Sequence, residues 1–480
     1  MSEVINKWID KLQWTLLLVF AVGYILTKSY FDFASGEYFI YNLAALGVCA
    51  SLIYQLRKIH SHNAAAWLAL ILIVTVYYLR SYWITLDPTP VKVMLPWNPY
   101  YDMLDRRDLL LNSFKLSTLM FVSFGFSIIF LFKFLNSHNS QKKTADEVPA
   151  GHSNFLADIL VVSLPLVMLV LYFLTYYFQI GLMGASSGDP LPFRLKGIIF
   201  YVNTVFIPLL VALLIYLSER SNRKTISNLG VLLMIAHGLV LMVLRGSRSS
   251  LLLSIVLLIF LVLVGGLKLQ RNQKILMAVF IIGAFFMVPV MTNYRSLRIE
   301  QAMLVSEAIS MAMHATYADW AGGIIQGLKF VLFRMPGIES LWCMLAQGAA
   351  PLDGQLFNVL DKKNGIAGYL TYNIYLLKPT DNTLLAPGFV GWFYLVGGSL
   401  GVALGGGVAA LLSVLSWVIA NKEYLKCRVI AQMFLLWMLF LVLTEGTLDI
   451  MVMLVLSGLV CLATIEYVLR SSASPIKLIK

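Results

Sequence analysis

Apolar stretches long enough to cross a lipid bilayer recur along the whole chain, and they restrict its fold more than any other feature of the sequence. About twelve of them are separated by polar breaks, and most approach the roughly 20 residues that an α-helix needs to span a hydrocarbon core. Hydrophobic residues make up 59% of the 480 residues and charged residues only 12%, which is more apolar surface than one water-soluble core can bury. The sequence therefore predicts an all-α polytopic membrane protein. The predicted spans are 12–28, 39–56, 64–86, 112–135, 155–180, 196–217, 229–244, 249–267, 275–292, 387–419, 429–444 and 450–468.

Lysine and arginine in the polar breaks predict the orientation of these spans. Loops rich in these residues stay in the cytoplasm, and threading the chain through the predicted spans places all the basic clusters on one side. We therefore expect a single integral membrane domain over residues 1–480 with both termini inside. The first apolar segment lacks a small-residue cleavage site, which favours an uncleaved anchor. Because much of the net charge of +12 is this orientation signal, it does not indicate nucleic acid as a partner.

A large outer loop is predicted between the ninth and tenth spans, over residues 293–386. Its length exceeds that of an ordinary unstructured connection, so it is expected to contain helices of its own. Residues 299–318 have a helical pattern in which Glu300, Glu307 and His314 recur every seventh residue and share one face. Loops carry binding and catalytic residues more often than the elements that they connect. We therefore expect the function to lie in this loop.

Polar and aromatic residues in the second half of this loop suit a sugar ligand. Aromatic rings stack on the apolar face of a pyranose, and amides bond its hydroxyl groups. An aromatic belt at the lipid headgroups is an equally good interpretation of the same pattern. The predicted sugar-binding residues are Tyr369, Tyr372, Asn373, Tyr375 and Asn382.

Arginines on or beside the predicted outer face form a second group of candidates. An arginine at the edge of a span costs a few kcal/mol on insertion scales, so its presence calls for a partner. The planar guanidinium matches phosphate oxygens in bidentate fashion, which suits a lipid-linked diphosphate. The alternative is snorkelling toward ordinary anionic lipid or pairing with an acidic side chain, and we favour this alternative for Arg80. The predicted diphosphate-binding residues are Arg245, Arg248, Arg295, Arg298 and Arg334.

Candidates for a general base are His314, Asp381 and Glu307. His314 is the histidine predicted to lie outside, and the ordinary pKa of histidine suits proton transfer, although a solvated or capping role is the competing interpretation. His237 is isolated within a span and is expected to be a satisfied core group. The ladder Asp102, Asp105 and Asp108 is typical of a charged turn, so neither a metal site nor a cofactor is predicted.

Glycines are concentrated from Pro387 to Gly407, where the tenth span begins. Small residues let helix backbones approach closely, so this span is expected to lie at the centre of the helix bundle.

The chain resembles the bacterial oligosaccharide repeat-unit polymerases, the O-antigen (Wzy-type) polymerases, over roughly residues 155–450. Four features carry the resemblance. They are the Arg-Gly-Ser-Arg-Ser run from Arg245, the large outer loop, Phe333-Arg334-Met-Pro-Gly, and the run Pro-Gly-x-x-Gly-x-x-Tyr-x-x-Gly-Gly that ends at Gly398.

The resemblance implies an inner-membrane enzyme with a glycosyltransferase-C-like fold, which joins undecaprenyl-diphosphate-linked oligosaccharides at the periplasmic face. It implies that Arg245, Arg248, Arg295 and Arg334 hold the diphosphate. A polysaccharide chain-length regulator would be a further partner. The family offers no short invariant motif for a base, so His314, Asp381 and Glu307 remain candidates from the residues alone. Fixed arginines can stabilise a leaving diphosphate without a metal ion.

Two other functions fit the same composition. An O-antigen ligase uses nearly the same chemistry and differs in its acceptor groove, which leaves polymerase and ligase open at the level of sequence. A flippase for lipid-linked oligosaccharides commonly has paired halves and ionisable groups near the midplane, and the sequence indicates neither.

Overall fold

The computed structural model describes residues 3–58, 64–87, 106–136, 150–181, 195–245, 248–267, 270–300, 305–318, 337–352, 354–360, 365–374, 387–420, 422, 425–446 and 448–473. Over these ranges the regular secondary structure is helical, with no strand. Each of the predicted apolar spans falls on a helix, although one of them contains a break.

In chain order the helices are α1 (Glu3–Thr27), α2 (Ser35–Lys58), α3 (Ala64–Leu86), α4 (Arg107–Asn136), α5 (Ala150–Tyr177), α6 (Leu195–Arg220), α7 (Lys224–Arg245), α8 (Arg248–Gly265), α9 (Arg271–Glu300), α10 (Val305–Ala318), α11 (Ile338–Ala346), α12 (Leu356–Leu360), α13 (Gly365–Tyr369), α14 (Gly388–Ala420), α15 (Arg428–Glu445) and α16 (Leu448–Ala473). A π-helical turn lies within α3 at Val74–Leu79 and within α6 at Val202–Phe206, and another, Leu370–Ile374, follows α13.

The chain forms two compact units, each made of ranges that are not contiguous in sequence. The first unit comprises residues 1–143, 331–421 and 438–452, and the second comprises residues 144–330, 422–437 and 453–480.

Within the described ranges, eight helical segments are long and apolar enough to cross a membrane. The first of them, Lys11–Lys58, has 48 residues and is a hairpin of α1 and α2. Thr27 Oγ1 lies 2.6 Å from the Tyr38 hydroxyl, and Asn42 Nδ2 donates to the Phe20 carbonyl at 3.2 Å. Two further apolar helices, Ser250–Gly265 and Arg428–Thr444, are shorter. This is the polytopic helical membrane architecture that the sequence predicts.

The predicted tenth span, 387–419, is two helical pieces rather than one. Gly397 (φ −160°, ψ 30°) and Gly398 (φ 58°, ψ −142°) interrupt α14, and the positive φ of Gly398 is a conformation that glycine adopts without steric cost. The chain turns so sharply that Gly405 packs on the ring of Phe393. The carbonyl of Leu395, which loses its helical partner at the break, accepts instead from the backbone N–H of Leu352 at 2.8 Å.

After the break, α14 packs closely against α4. A Cβ on Gly406 would lie 2.7 Å from the backbone nitrogen of Phe124, and the Ser123 hydroxyl donates to the Ala403 carbonyl at 2.6 Å. Only a residue without a side chain fits at Gly406, which confirms the close backbone approach predicted from the glycine-rich sequence.

The helix predicted over residues 299–318 is confirmed over Val305–Ala318, but its first two residues belong to the end of α9. Helix α9 runs through the end of its apolar span to Glu300, and α10 is a separate helix. The bond from Asn293 Nδ2 to Thr316 Oγ1, 3.2 Å long, places α10 back alongside α9. The sequence between the two helices contains neither glycine nor proline, so the helical pattern across 299–318 does not show where one helix ends and the other begins.

Candidate functional site

A polar cluster in the second unit begins at a defect in α6. Proline has no backbone N–H, and Pro208 lies five residues after Asn203, at the position from which a π-helical bond to the Asn203 carbonyl would come. His237 of α7 takes that place, because its Nε2 lies 2.8 Å from this carbonyl oxygen. The proline in one helix therefore explains the histidine in the next.

The other ring nitrogen of His237, Nδ1, lies 2.8 Å from the hydroxyl of Tyr172 on α5. A carbonyl oxygen only accepts, so the imidazole carries its proton on Nε2 and accepts the tyrosine proton on Nδ1. The Asn203 side chain extends the cluster, since its Nδ2 donates to Thr175 Oγ1 at 2.9 Å. His237 is therefore the satisfied core histidine that the sequence predicts.

Replacing His237 by phenylalanine is expected to lower the free energy of unfolding by roughly 1–3 kcal/mol for each buried group left without a partner, namely the Asn203 carbonyl and the Tyr172 hydroxyl. Glutamine, which both donates and accepts, should recover part of the loss. Thermal unfolding in detergent measures both changes, and Thr464→Val, at an exposed threonine that bonds only within its own helix, is the control. Equal melting temperatures for the phenylalanine variant and the wild type would contradict the role given to His237.

Arg245, the last residue of α7, is the central candidate of this unit. Its side chain is only 4% exposed. Its Nη1 donates to Thr204 Oγ1 at 2.9 Å and its Nη2 to the Phe200 carbonyl at 3.4 Å, while the guanidinium carbon lies 4.4 Å from the centre of the Phe200 ring. These contacts fix the plane of the guanidinium.

No acidic side chain in the described part of the chain pairs with Arg245, and its Nε is buried without an acceptor there. A buried charge without a counter-charge is costly. An anion is the group that would offset this cost.

Further predicted arginines lie at the same end of the second unit. Helix α7 ends at Arg245 and α8 begins at Arg248. The Tyr294 hydroxyl of α9 donates to the Val243 carbonyl at 3.1 Å, which brings the neighbouring backbone of Arg295 to the end of α7. The N-terminus of α8 adds a partial positive charge. The side chains of Arg248, Arg295 and Arg298 lie outside the described atoms.

The other predicted residues fall in different places. Glu307 and His314 are exposed on α10, whereas Ala308 and Ala312 of the same helix are buried. In the first unit, Tyr369 and Tyr372 are half-buried and Asn373 is exposed. The predicted residues outside the described ranges are Arg334, Tyr375, Asp381 and Asn382. Among the described residues, the candidates for binding diphosphate and for the general base therefore belong to the second unit. The candidates for binding sugar belong to the first unit.

A buried ion pair in the first unit joins α3 to α11. Arg80 Nη2 lies 2.5 Å from Glu339 Oε1, and the two side chains are 5% and 1% exposed. The backbone N–H of Gly337 also donates to Glu339 Oε1, at 3.1 Å. Burial raises the pKa of the Glu339 carboxyl, although the Arg80 guanidinium opposes the shift. Helix α11 is thus held inside the unit by charge as well as by its buried apolar residues.

The sequence left Arg80 either snorkelling toward anionic lipid or paired with an acidic side chain, and it did not identify Glu339 as the partner. Glu339 falls in the loop predicted to lie outside, and loops are expected to be solvated. The signal that points to burial is the apolar run Ile-Glu-Ser-Leu-Trp-Cys-Met-Leu from Ile338, in which Glu339 is the one charged residue. An isolated acid in such a run calls for a buried cation.

Among the described residues, no group of three or more histidine, cysteine, aspartate or glutamate side chains is placed to hold a metal ion. No protein-family model, curated protein or solved structure matches this chain. Any statement about the function therefore depends on the geometry of the second unit.

Proposed function

We propose that this chain is a glycosyltransferase that polymerises lipid-linked oligosaccharide repeat units at the periplasmic face of the bacterial inner membrane. It transfers the growing glycan from undecaprenyl diphosphate to the non-reducing end of an incoming lipid-linked unit. The observation that supports this proposal best is the buried guanidinium of Arg245, which has positioned neighbours and no acidic partner among the described residues.

In this reaction a hydroxyl of the incoming unit attacks the anomeric carbon of the growing chain. The new glycosidic bond forms as the bond from that carbon to the diphosphate oxygen breaks, and the hydroxyl proton passes to a base, for which His314, Glu307 and Asp381 are the candidates. The diphosphate leaves on its lipid with additional negative charge. Arginines already fixed in place stabilise that charge without reorganising.

The contacts of Arg245 suit this task. Nη1 donates one hydrogen bond to Thr204 Oγ1, and Nη2 donates one to the Phe200 carbonyl. The Phe200 ring covers one face of the guanidinium. Each terminal nitrogen keeps a second N–H group, for which a phosphate oxygen is the acceptor that we propose. Arg248 at the start of α8 and Arg295 beside the end of α7 would add charge from two further helices.

Substitution of Arg248 and Arg295 by alanine tests the proposal. In a strain that lacks the native gene, each variant is expected to leave surface glycan shortened toward one repeat per acceptor, seen as the loss of a ladder on a gel. Arg271→Ala is the matched control, because Arg271 is exposed at the opposite end of the same helix as Arg295. Undiminished polymer length in both variants, with protein levels equal to wild type, would remove the proposal.

The phenotype of the deletion strain separates the neighbouring functions. Glycan reduced to one repeat per core indicates a polymerase, and polymer that accumulates on its carrier indicates a ligase. Repeats absent from the surface and trapped inside indicate a flippase.

A further inference from the structure

Helices α5 and α6 end in the same hydrogen-bonded turn, the Schellman motif. After α5, the backbone N–H of Gln179 donates to the Tyr176 carbonyl at 3.3 Å, and the next N–H donates to the Thr175 carbonyl at 3.0 Å. After α6, the same two bonds, 3.1 and 2.8 Å long, start at Asn222 and at the residue that follows it. The motif places one residue in the left-handed region, and these residues are Gln179 (φ 49°) and Asn222 (φ 55°).

Glutamine is an unusual residue for this position. Glycine adopts the left-handed conformation without steric cost, and asparagine tolerates it because its short side chain can bond the local backbone. Glutamine has neither advantage. Among the described residues, Gln179 and Asn222 are the two with a positive φ that are not glycine. Residues held in this conformation are concentrated at functional sites, so the strain at Gln179 calls for a task that its side chain performs.

The turn that contains Gln179 lies against the guanidinium site. Two residues further on, a Cβ on Gly181 would lie 3.0 Å from the ring of Phe200 and 3.5 Å from Cδ of Arg245. Two residues of chain span at most about 7 Å, so Gln179 lies within that distance of Gly181. Thr175, which closes the turn, also accepts a hydrogen bond from a side chain of α6 at 2.9 Å. The turn is therefore fixed beside Arg245.

The side chain of Gln179 is exposed, and it makes no hydrogen bond with any other described residue. An amide both donates and accepts, as a sugar hydroxyl does, whereas phosphate oxygens only accept. Gln179 also lies two positions beyond the end of the apolar span Asn154–Tyr177. It is therefore placed at the level of the polar part of a lipid-linked glycan rather than at the level of the prenyl chain.

We propose that Gln179 is a specificity-determining residue, whose side-chain amide hydrogen-bonds the sugar attached to the diphosphate at Arg245. This inference rests on the proposed function, because it needs a lipid-linked glycan bound there. The arginines of the second unit would bind the diphosphate whatever sugar it carries. Gln179 adds to them a group that contacts the sugar.

Kinetics of the purified full-length protein test the assignment, with the lipid-linked repeat unit extracted from the deletion strain as substrate. Gln179→Ala removes the amide and keeps a Cβ, whereas Gln179→Gly also removes the strain. Both are expected to raise KM roughly 3- to 10-fold, the loss of one hydrogen bond between uncharged groups, and to leave kcat within about twofold. The control is Asn222→Gly, at the same position of the motif and roughly 27 Å along α6 from Thr204. It should leave KM unchanged.

The melting temperature separates contact with the ligand from a structural role. Gln179→Gly is expected to raise it by about 1–2 °C, because glycine adopts the left-handed conformation without strain. A side chain that served only to stabilise the fold would instead lower the melting temperature when removed. A variant that is more stable and binds its substrate more weakly is therefore the expected result.

Binding without turnover separates the sugar from the diphosphate. Native mass spectrometry compares undecaprenyl diphosphate with the extracted lipid-linked repeat unit. Gln179→Ala should weaken the binding of the glycosylated lipid by the same factor as KM and leave the binding of undecaprenyl diphosphate unchanged. Arg245→Gln should weaken the binding of both lipids.

Two results would overturn this inference and leave the proposed function standing. One is a wild-type KM in both Gln179 variants while Arg245→Gln loses activity. The other is an equal loss of binding for the two lipids in Gln179→Ala, which would assign the amide to the diphosphate. A wild-type protein that binds neither lipid would remove the proposed function and this inference together.

Discussion

Replacing Glu339 by leucine is expected to lower the free energy of unfolding by about 3–5 kcal/mol, because it leaves the Arg80 guanidinium buried without this counter-charge. The pair is nearly inaccessible to solvent, so water cannot take the place of the carboxylate. Thermal unfolding of the purified protein, followed by tryptophan fluorescence, measures the loss.

A double variant separates the charge from the packing. Arg80→Met together with Glu339→Leu should recover most of the stability, since apolar residues of similar volume often replace a buried pair at little cost. Asp158→Asn serves as the control, because it breaks an ion pair with Arg223 whose side chains are 55% and 30% exposed, and it should cost less than about 1 kcal/mol. A double variant no more stable than Glu339→Leu would contradict this expectation, because the loss would then not come from the charge left on Arg80.

Replacing Arg245 by glutamine is expected to slow glycan transfer by about 10²–10³-fold, the loss seen when one fixed donor to a developing negative charge is removed. Lysine keeps the charge but lacks the planar pair of donors, so Arg245→Lys should retain more activity than Arg245→Gln. Purified protein and a synthetic lipid-linked repeat unit allow the initial rate to be measured directly.

The comparison variant is Thr204→Val, which removes the acceptor of Arg245 Nη1 and leaves the guanidinium in place. It should change the rate by less than about tenfold while lowering the unfolding free energy by about 1 kcal/mol. If Arg245→Gln transfers glycan at the wild-type rate, the guanidinium serves only to join α6 and α7. The proposal would then lose its best support.

The apolar spans could be predicted from the sequence because length and hydropathy act over about 20 residues and tolerate local exceptions. In helix α7, for example, the predicted span 229–244 lies inside the observed helix Lys224–Arg245. The prediction misses the first turn because its residues are helical but polar. The placement of Arg245 at a helix end was predictable for the same reason. Its neighbours Thr204 and Phe200 were not, because they depend on how two helices pack.

Three features escaped prediction for physical reasons. Gly397 and Gly398 lie in an apolar stretch whose hydropathy is that of one span, so only their backbone angles show the break. Helices α9 and α10 share a continuous helical pattern across their junction. Glu339 pairs with a residue more than 250 positions earlier in the chain, Arg80, and a pattern within one segment does not contain that information.

The proline at position 208 has a consequence for biogenesis. A carbonyl group without a hydrogen bond costs several kcal/mol in hydrocarbon, and the Asn203 carbonyl finds its donor on the following helix, at His237. Helix α6 alone would therefore enter lipid at a penalty that α7 relieves. We expect the two helices to leave the translocon together as a hairpin, so that a nascent chain halted before residue 237 would integrate α6 poorly.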